Sequence, residues 1–192
     1  MITENKKMII EGKEVSSDVS IFEDKDKQKI MEIFELWDEL SIKLTELNCR
    51  RANFTEISEV IFCYVFNCWR TNNIKKNDFH TSFDCYNPKT KKTVQLKATS
   101  SINELSSFGP KSVWEELYFM DFYNEPNNKG KNNGNVKIYF IPNEEIYTCK
   151  MNKKETFRDQ QKRGVRPRFS IRKKIIEHLN LEPIGEFNIY KL

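Results

Sequence analysis

Long apolar stretches and paired cysteines are both missing from this 192-residue chain. No segment approaches the roughly 18 to 20 consecutive apolar residues that cross a bilayer, and the opening MITENKKMII lacks the apolar run of a secretory signal. We therefore expect a cytoplasmic protein without membrane contact. The five cysteines contain no CxxC pair, which argues against a disulfide framework or a zinc ribbon. Cys63 and Cys68 lie in an apolar run and are expected to be small buried hydrophobes.

Histidine is also scarce, since only His80 and His178 are present. This scarcity argues against nucleases with clustered histidine ligands and against zinc hydrolases. The formal net charge of +4 conceals a gradient along the chain. Residues 1–47 hold 7 Lys/Arg and 12 Asp/Glu, whereas residues 150–174 hold 11 Lys/Arg and 2 Asp/Glu. A basic region of this density suits contact with a polyanion, and the alternative is a solvated charged face.

Aromatic residues are abundant, and the length suits one compact domain. Residues 1–22 are polar and weakly patterned, as in a loose arm. Apolar spacing then predicts an amphipathic helix from about Asp26 to Leu47, with a break near Leu40. A second, largely buried helix is predicted from Asn53 or Thr55 to about Trp69, followed by a polar loop from Arg70 to Asp78.

A predicted hairpin comes next, with strands His80 to Tyr86 and Thr93 to Thr99 joined by the turn Asn87 to Thr90. The later predicted elements are a loop (Ser100 to Pro110), a short helix (Lys111 to Glu116), strands Leu117 to Tyr123 and Val136 to Ile141, a helix opening at Asn143, a helix from Ile171 to Leu179, and a strand-like tail (Phe187 to Tyr190). This order predicts an α/β fold, a sandwich around a central mixed sheet flanked by helices.

The hairpin carries a set of side chains suited to phosphodiester hydrolysis. That reaction needs a metal-activated water and neutralisation of the charge that develops on phosphate. Asp84 lies near the end of the first strand, and Gln95 and Lys97 share one face of the second because side chains two apart on a strand point the same way. Mg²⁺ prefers carboxylate and carbonyl oxygens. The alternative is an exposed hairpin whose polar side chains face water.

Because Gln95 is neutral, a second acid is expected nearby. Glu59 lies in the otherwise apolar second helix, where an unpaired carboxylate is disfavoured unless a metal or a cation accompanies it. Glu56 is the competitor, although its spacing from Asn53 predicts a structural role in a capping box.

The D-x10-QxK pattern resembles the PD-(D/E)XK nuclease superfamily in its QxK variant. Residues Asn103 to Tyr123, Thr156 to Gln161 and the segment RGVRPRFSI also resemble small Type II restriction endonucleases, in particular the subfamily that cuts within GCNGC. The resemblance covers roughly residues 50–175. It implies that Asp84 and Gln95 bind Mg²⁺, that Lys97 orients the attacking water, and that 5′-phosphate ends result.

The resemblance further implies a homodimer on double-stranded DNA and a protective DNA methyltransferase in the host. It divides the chain into an N-terminal arm and helix (1–48) and a catalytic domain with a basic DNA-binding segment (49–192). Arginine can read guanine, and lysine can contact phosphate. The expected DNA contacts are Lys111, Arg163, Arg166, Arg168, Arg172 and Lys173, with Ser106, Ser107 and Lys174 as further candidates.

Two other functions stay open on these residues. A repair or resolvase-type nuclease would select DNA structure over sequence. A basic DNA-binding module would bind without cutting.

Overall fold

A β-hairpin opens the chain, where the sequence predicts a loose arm. The computed structural model describes residues 1–71, 83–123 and 131–192. Strands β1 (Ile2–Ile10) and β2 (Lys13–Ile21) pair antiparallel through Glu11 and Gly12, which both have positive φ, as a tight two-residue hairpin turn requires. The prediction is wrong because the sequence signal is weak: few apolar residues of the two strands are buried. The buried apolar residues are Met8, Ile10 and Val19.

Two helices follow the hairpin. Helix α1 (Lys27–Glu46), after a 3-10 turn at Asp24–Asp26, lacks the predicted break near Leu40. The hydroxyl of buried Ser41 accepts a hydrogen bond from the Ala52 N–H, so this serine ties down the next loop without interrupting the helix. Helix α2 (Thr55–Phe66) ends before the predicted Trp69, because Asn67 takes the left-handed conformation with φ 52°.

The strands that follow build the sheet that carries the site. They are β3 (Trp69–Thr71), β4 (Cys85–Asn87), β5 (Lys92–Thr99), β6 (Ser106–Ser107), β7 (Glu116–Asp121), β8 (Asn135–Ile141), β9 (Arg168–Phe169) and β10 (Gly185–Asn188). Among the described residues, one eight-stranded sheet has the order β1-β2-β3-β4-β5-β7-β8-β10, and β6 pairs with β9 in a small ribbon, the β6–β9 ribbon. β5 and β7 run parallel while β4 and β5 run antiparallel, so the sheet is mixed.

The second half of the chain supplies further helices. They are α3 (Asn143–Thr148), α4 (Phe157–Lys162), and a π-helical segment (Arg172–Ile176) that continues as α5 (Glu177–Leu179). The helices predicted from Asn143 and from Ile171 to Leu179 are confirmed. Helix α4 was not predicted, although Thr156 and Asp159 form a capping box at its start.

Other predicted elements differ from the structure. The segment Lys111 to Glu116 is not helical, because the Glu115 N–H bonds to the Thr93 carbonyl and Glu116 already begins β7. The predicted loop from Arg70 begins within β3, and its remainder at 72–78 lies outside the described residues.

The first hairpin strand and the chain end also differ from prediction. The strand occupies Cys85–Asn87, and the predicted residues 80–82 lie outside the described ranges. At the chain end β10 is followed by a 3-10 turn, Ile189–Lys191.

Side-chain alternation gives the sheet two apolar faces. Cys85, Val94 and Leu96 pack in a cluster that includes residues of α1 and α2, whereas Leu117 and Phe119 pack with residues of α3, α4 and the π-helical segment. Helices therefore flank the sheet on both sides, and the predicted mixed α/β fold is confirmed. All five cysteines are free, and Cys63 and Cys68 are buried, as predicted. None of the helices in the described ranges could cross a membrane.

Candidate active site

Asp84 and Gln95 face each other across the β4–β5 hairpin. Cys85 pairs with Val94, so Asp84 is the next position along and lies opposite Gln95. The Asp84 N–H bonds to the Val94 carbonyl at 2.9 Å. The side-chain amide of Gln95 and the Leu96 N–H both donate to Asp84 Oδ2, the latter at 2.6 Å. The structure thus brings Asp84 and Gln95 together, in the register that the sequence predicts.

Lys97 lies on the same face of β5, two positions beyond Gln95. It is half-buried, with Nζ 5.1 Å from the centre of the Phe108 ring. Burial lowers the pKa of Lys97, while the charges of Asp84 and Glu59 raise it and that of Arg166 lowers it further. Lys97 therefore interacts electrostatically with both candidate acids.

Glu59 is the more buried of the two candidate helix-borne acids. Its side chain is 13% exposed, against 79% for Glu56. Glu59 Oε2 accepts a hydrogen bond from Arg70 Nε at 2.9 Å, and the same guanidinium also pairs with Glu56. Arg70 is thus the cationic partner that the buried position of Glu59 requires.

The predicted capping box between Asn53 and Glu56 is wrong. Helix α2 begins at Thr55 with Phe54 at the capping position. The Asn53 side chain accepts hydrogen bonds from the Thr55 N–H and hydroxyl, at 3.1 and 3.0 Å. Glu56 pairs with Arg70 instead. The capping role that argued against Glu56 as the second acid is therefore absent.

The pKa of each acid of the site is raised above its ordinary value. Burial raises the pKa of Asp84 to about 6, against the opposing effects of Lys97, the Leu96 N–H and Gln95. Burial and then the charge of Asp84 raise the pKa of Glu59 to about 7, against the opposing effect of Arg70. A cation bound between two such carboxyl groups would favour their ionised forms.

A cleft of about 420 Å³ opens between α2, the end of β5 and the β6–β9 ribbon. Glu59 and Lys97 line it, together with Glu104, Ser106 and Ser107. Asp84 and Gln95 lie next to Lys97 but outside this lining. The cleft gives a polar ligand access to one side of the carboxylate and lysine cluster.

The donor set fits a hard divalent cation. The carboxyl groups of Asp84 and Glu59 and the side-chain carbonyl of Gln95 are oxygen donors of the type that Mg²⁺ prefers. In the part of the chain that the structure describes, no three His, Cys, Asp or Glu side chains form a metal-binding group. Because position 95 holds a neutral glutamine, the acids of this donor set are Asp84 and Glu59. Rotation of the Gln95 amide would exchange its nitrogen for its oxygen at the same place.

The β6–β9 ribbon brings two predicted DNA contacts to the cleft. Ser107 pairs with Arg168, and the Phe108 N–H donates to the Pro167 carbonyl at 3.0 Å. These contacts place Arg166 and Arg168 beside the cleft, and both are exposed. The charge of Arg166 lowers the pKa of Lys97.

The other predicted basic contacts are placed differently. Arg163 is exposed and pairs with Glu155 at 2.8 Å. Lys111 is exposed in the loop before β7. Lys173 and Lys174 line a separate cleft of about 460 Å³ beside α5. The structure thus does not bring Lys173 to the cleft that holds Lys97.

Arg172 is unsuited to the predicted role of DNA contact. It is buried, and its guanidinium makes a two-pronged ion pair with Asp121, with NH2–Oδ1 at 2.6 Å and Nε–Oδ2 at 3.0 Å. It also donates to the carbonyls of Ser101 and Ile102. These bonds join the last helix to β7 and to the loop after β5, so we leave Arg172 out of the proposed DNA contacts.

Sequence reasoning missed Arg70 and Glu104. No local pattern marks Arg70, because it meets Glu59 and Glu56 only after the chain reverses at Asn67. Glu104 is buried, and its Oε1 accepts from the Ser106 N–H at 3.2 Å and from the Ile171 N–H at 3.0 Å. No local pattern marks the Glu104 contact to Ile171, which spans 67 residues.

The chain is similar to known restriction enzymes. Residues 22–178 match the family described as Bsp6I restriction endonuclease, and the chain belongs to this family. Its enzyme class is therefore that of a Type II site-specific deoxyribonuclease, which binds DNA.

A particular relative is the Type II restriction enzyme Bsp6I of Bacillus sp. (strain RFL6). It is 30% identical over 179 residues, which cover 91% of this chain and 92% of the relative. No solved structure shows significant similarity to the chain. The resemblance predicted over roughly residues 50–175 thus extends over almost the whole chain.

Proposed function

We propose that this enzyme is a Mg²⁺-dependent restriction endonuclease of the PD-(D/E)XK type that cuts both DNA strands at a short specific sequence and leaves 5′-phosphates. The observation that carries the proposal is the meeting of Asp84, Gln95 and Lys97 on one hairpin, with Glu59 of α2 in electrostatic contact. A mixed sheet with helices on both faces is the setting in which that superfamily places these residues. GCNGC is the first sequence to test.

In this proposal Asp84, Glu59 and the Gln95 carbonyl hold the metal ion. When bound, Mg²⁺ neutralises charge on the scissile phosphate and makes its water more acidic. Lys97 orients the attacking water and donates hydrogen bonds towards phosphate oxygen. Burial, which lowers the pKa of Lys97, makes its ammonium a readier proton donor than a surface lysine. The cation–π contact with Phe108 limits where that ammonium can move.

The proposed DNA contacts centre on the β6–β9 ribbon. Arg166 and Arg168 are exposed beside the catalytic cleft, where a guanidinium could read guanine in the major groove. Arg163, Lys111 and Lys173 are proposed as phosphate contacts. A palindromic site is matched by a homodimer, and a host methyltransferase would protect that site.

The first test is digestion of phage DNA with Mg²⁺ and, separately, with EDTA, followed by sequencing of the product ends. We expect discrete fragments with Mg²⁺ alone, all ending at one short sequence. Cutting confined to branched or nicked DNA would instead indicate a structure-selective nuclease. DNA that is retarded in a gel but never cut would indicate a binding module.

The second test removes the proposed catalytic groups one at a time. Asp84→Asn should abolish cleavage, and Lys97→Ala should lower the cleavage rate by about 10²- to 10⁴-fold, with DNA affinity in EDTA largely retained. Lys89→Ala, an exposed lysine in the hairpin turn, is the matched control. Normal cleavage by Asp84→Asn would remove this site from the mechanism.

The third test separates the two helix-borne acids. Glu59→Ala should be severe and Glu56→Ala mild, because only Glu59 is buried beside Lys97 and Asp84. The reverse result in a cleavage assay would transfer the role to Glu56.

A further inference from the structure

Arg70 stands at the junction between helix α2 and the hairpin of the candidate site. In β3 it pairs with Cys85, the residue after Asp84. Its side chain is 23% exposed and reaches two acids of α2 at once, through Nε to Glu59 Oε2 at 2.9 Å and through NH2 to Glu56. The ion pair with exposed Glu56 contributes little to stability. The ion pair with Glu59 is largely shielded from water.

The backbone explains how this contact arises. Asn67 takes a left-handed conformation, and the Cys68 N–H bonds back to the Cys63 carbonyl at 3.0 Å, which closes the helix. The chain then returns along α2, so Arg70 meets residues 11 and 14 positions earlier. The next residue, Thr71, donates from its N–H and its hydroxyl to the Asp84 carbonyl, at 3.3 and 3.1 Å.

Strand β3 thus fixes two groups of the site together. Its backbone holds the backbone of Asp84, and the side chain of Arg70 holds that of Glu59. The guanidinium occupies Glu59 Oε2, which leaves Oε1 as the oxygen for another partner. The charge of Arg70 also favours the ionised form of both acids by lowering the pKa of each.

We propose that Arg70 is a positioning residue, which orients Glu59 so that one carboxylate oxygen is presented to the divalent cation of the site. This inference rests on the proposed Mg²⁺ function. Hydrogen-bond partners of metal-binding carboxylates typically contribute about 10- to 100-fold to metal affinity or activity. A direct phosphate contact is the other role open to an arginine, but two carboxylates already engage this guanidinium.

The experiment compares Arg70→Met, Arg70→Lys, Glu59→Gln and the double variant Arg70→Met/Glu59→Gln. Arg50→Met is the matched control, because Arg50 is an exposed arginine outside the site. Cleavage is measured against Mg²⁺ concentration. Thermal unfolding of the DNA-free protein is followed during Mg²⁺ titration, and DNA affinity is measured in EDTA over a range of salt concentrations.

We expect Arg70→Met to need about 10- to 100-fold more Mg²⁺ for half-maximal cleavage and for half of the thermal shift. Arg70→Lys should recover part of this loss, since it keeps the charge without the planar fork. The double variant should cleave like Glu59→Gln alone, because Arg70 acts through Glu59. DNA affinity in EDTA should match the wild type.

Three results would overturn the positioning role of Arg70. Losses that multiply in the double variant would show that Arg70 acts independently of Glu59. A loss of DNA affinity in EDTA, with a salt slope reduced by about one, would make Arg70 a phosphate contact. Normal cleavage by Asp84→Asn would refute the proposed metal site itself, whereas an inactive Asp84→Asn beside an unimpaired Arg70→Met would refute only this inference.

Discussion

At the scale of single residues, the site is defined by how few charges it carries. A glutamine opposite Asp84 supplies a hydrogen bond and a carbonyl in place of a third acid. The two remaining acids are compensated by Lys97 and Arg70. Because burial raises the pKa of both acids, the metal-free site is most stable when at least one of them is protonated.

This state predicts a pH-dependent stability of the metal-free enzyme. The folded-state pKa of Glu59 is about 7 against an ordinary 4.5, and that of Asp84 is about 6 against 3.8. A raised pKa contributes stability that is complete below the ordinary value and is lost as pH rises through the folded-state value. In EDTA, the wild type should therefore lose stability relative to Asp84→Asn as pH rises from about 4 to 7. Thermal unfolding at each pH measures this loss.

If Mg²⁺ binds the ionised carboxylates as proposed, adding it should reverse this loss, with a larger effect at higher pH. Parallel pH profiles for the wild type and Asp84→Asn would contradict the raised pKa of Asp84.

At the scale of elements, the last helix is attached to the strands of the candidate site by one buried ion pair. Arg172 joins the π-helical segment to Asp121 at the end of β7 and to the loop after β5. Glu104 makes a second connection, to the Ile171 N–H. The loop that lines the cleft is therefore positioned by the helix that follows the β6–β9 ribbon.

Arg172→Met should consequently destabilise the fold. Breaking a buried pair by removing one partner costs about 3 to 5 kcal/mol, which urea denaturation would measure. Its exposed neighbour provides the comparison, since Lys173→Met should leave stability unchanged and reduce the salt slope of DNA binding by about one. Unchanged stability with weakened DNA binding in Arg172→Met would restore the DNA contact that the sequence predicts.

At the scale of the whole molecule, the N-terminal hairpin braces the strand that bears the site. The hairpin packs against Phe83, just before β4, and Tyr86, within β4, through Met8, Ile10 and Val19. Phe83 and Tyr86 lie on either side of Asp84 in the sequence. The Tyr86 hydroxyl accepts a hydrogen bond from the Ile9 N–H at 3.2 Å. The segment expected to be a loose arm thus supports the hairpin of the candidate site.

Neighbouring residues of β1 test this support. Met8 is 1% exposed and Ile9 is 45% exposed. Met8→Ala should lower the free energy of unfolding by about 2 to 5 kcal/mol, whereas Ile9→Ala should change it by about 0.5 kcal/mol. Equal effects in urea denaturation would show that the hairpin is not packed against β4.

The sequence by itself determined the hairpin, the shared face of Gln95 and Lys97, and the approach of Asp84. These depend on a two-residue period and a local turn, which are encoded by neighbouring residues. It also determined that Glu59 needs a partner, because a buried carboxylate is costly wherever it lies.

Only the tertiary structure decided which partner Glu59 has and which basic residues reach the cleft. Arg70 and Glu59 meet because the chain reverses after Asn67, and Arg172 is buried because β7 presents Asp121 from 51 residues away. The N-terminal strands likewise pack against Phe83 and Tyr86, which come from a distant part of the chain. Contacts between distant segments depend on how the layers pack, and neither residue type nor local spacing specifies that packing.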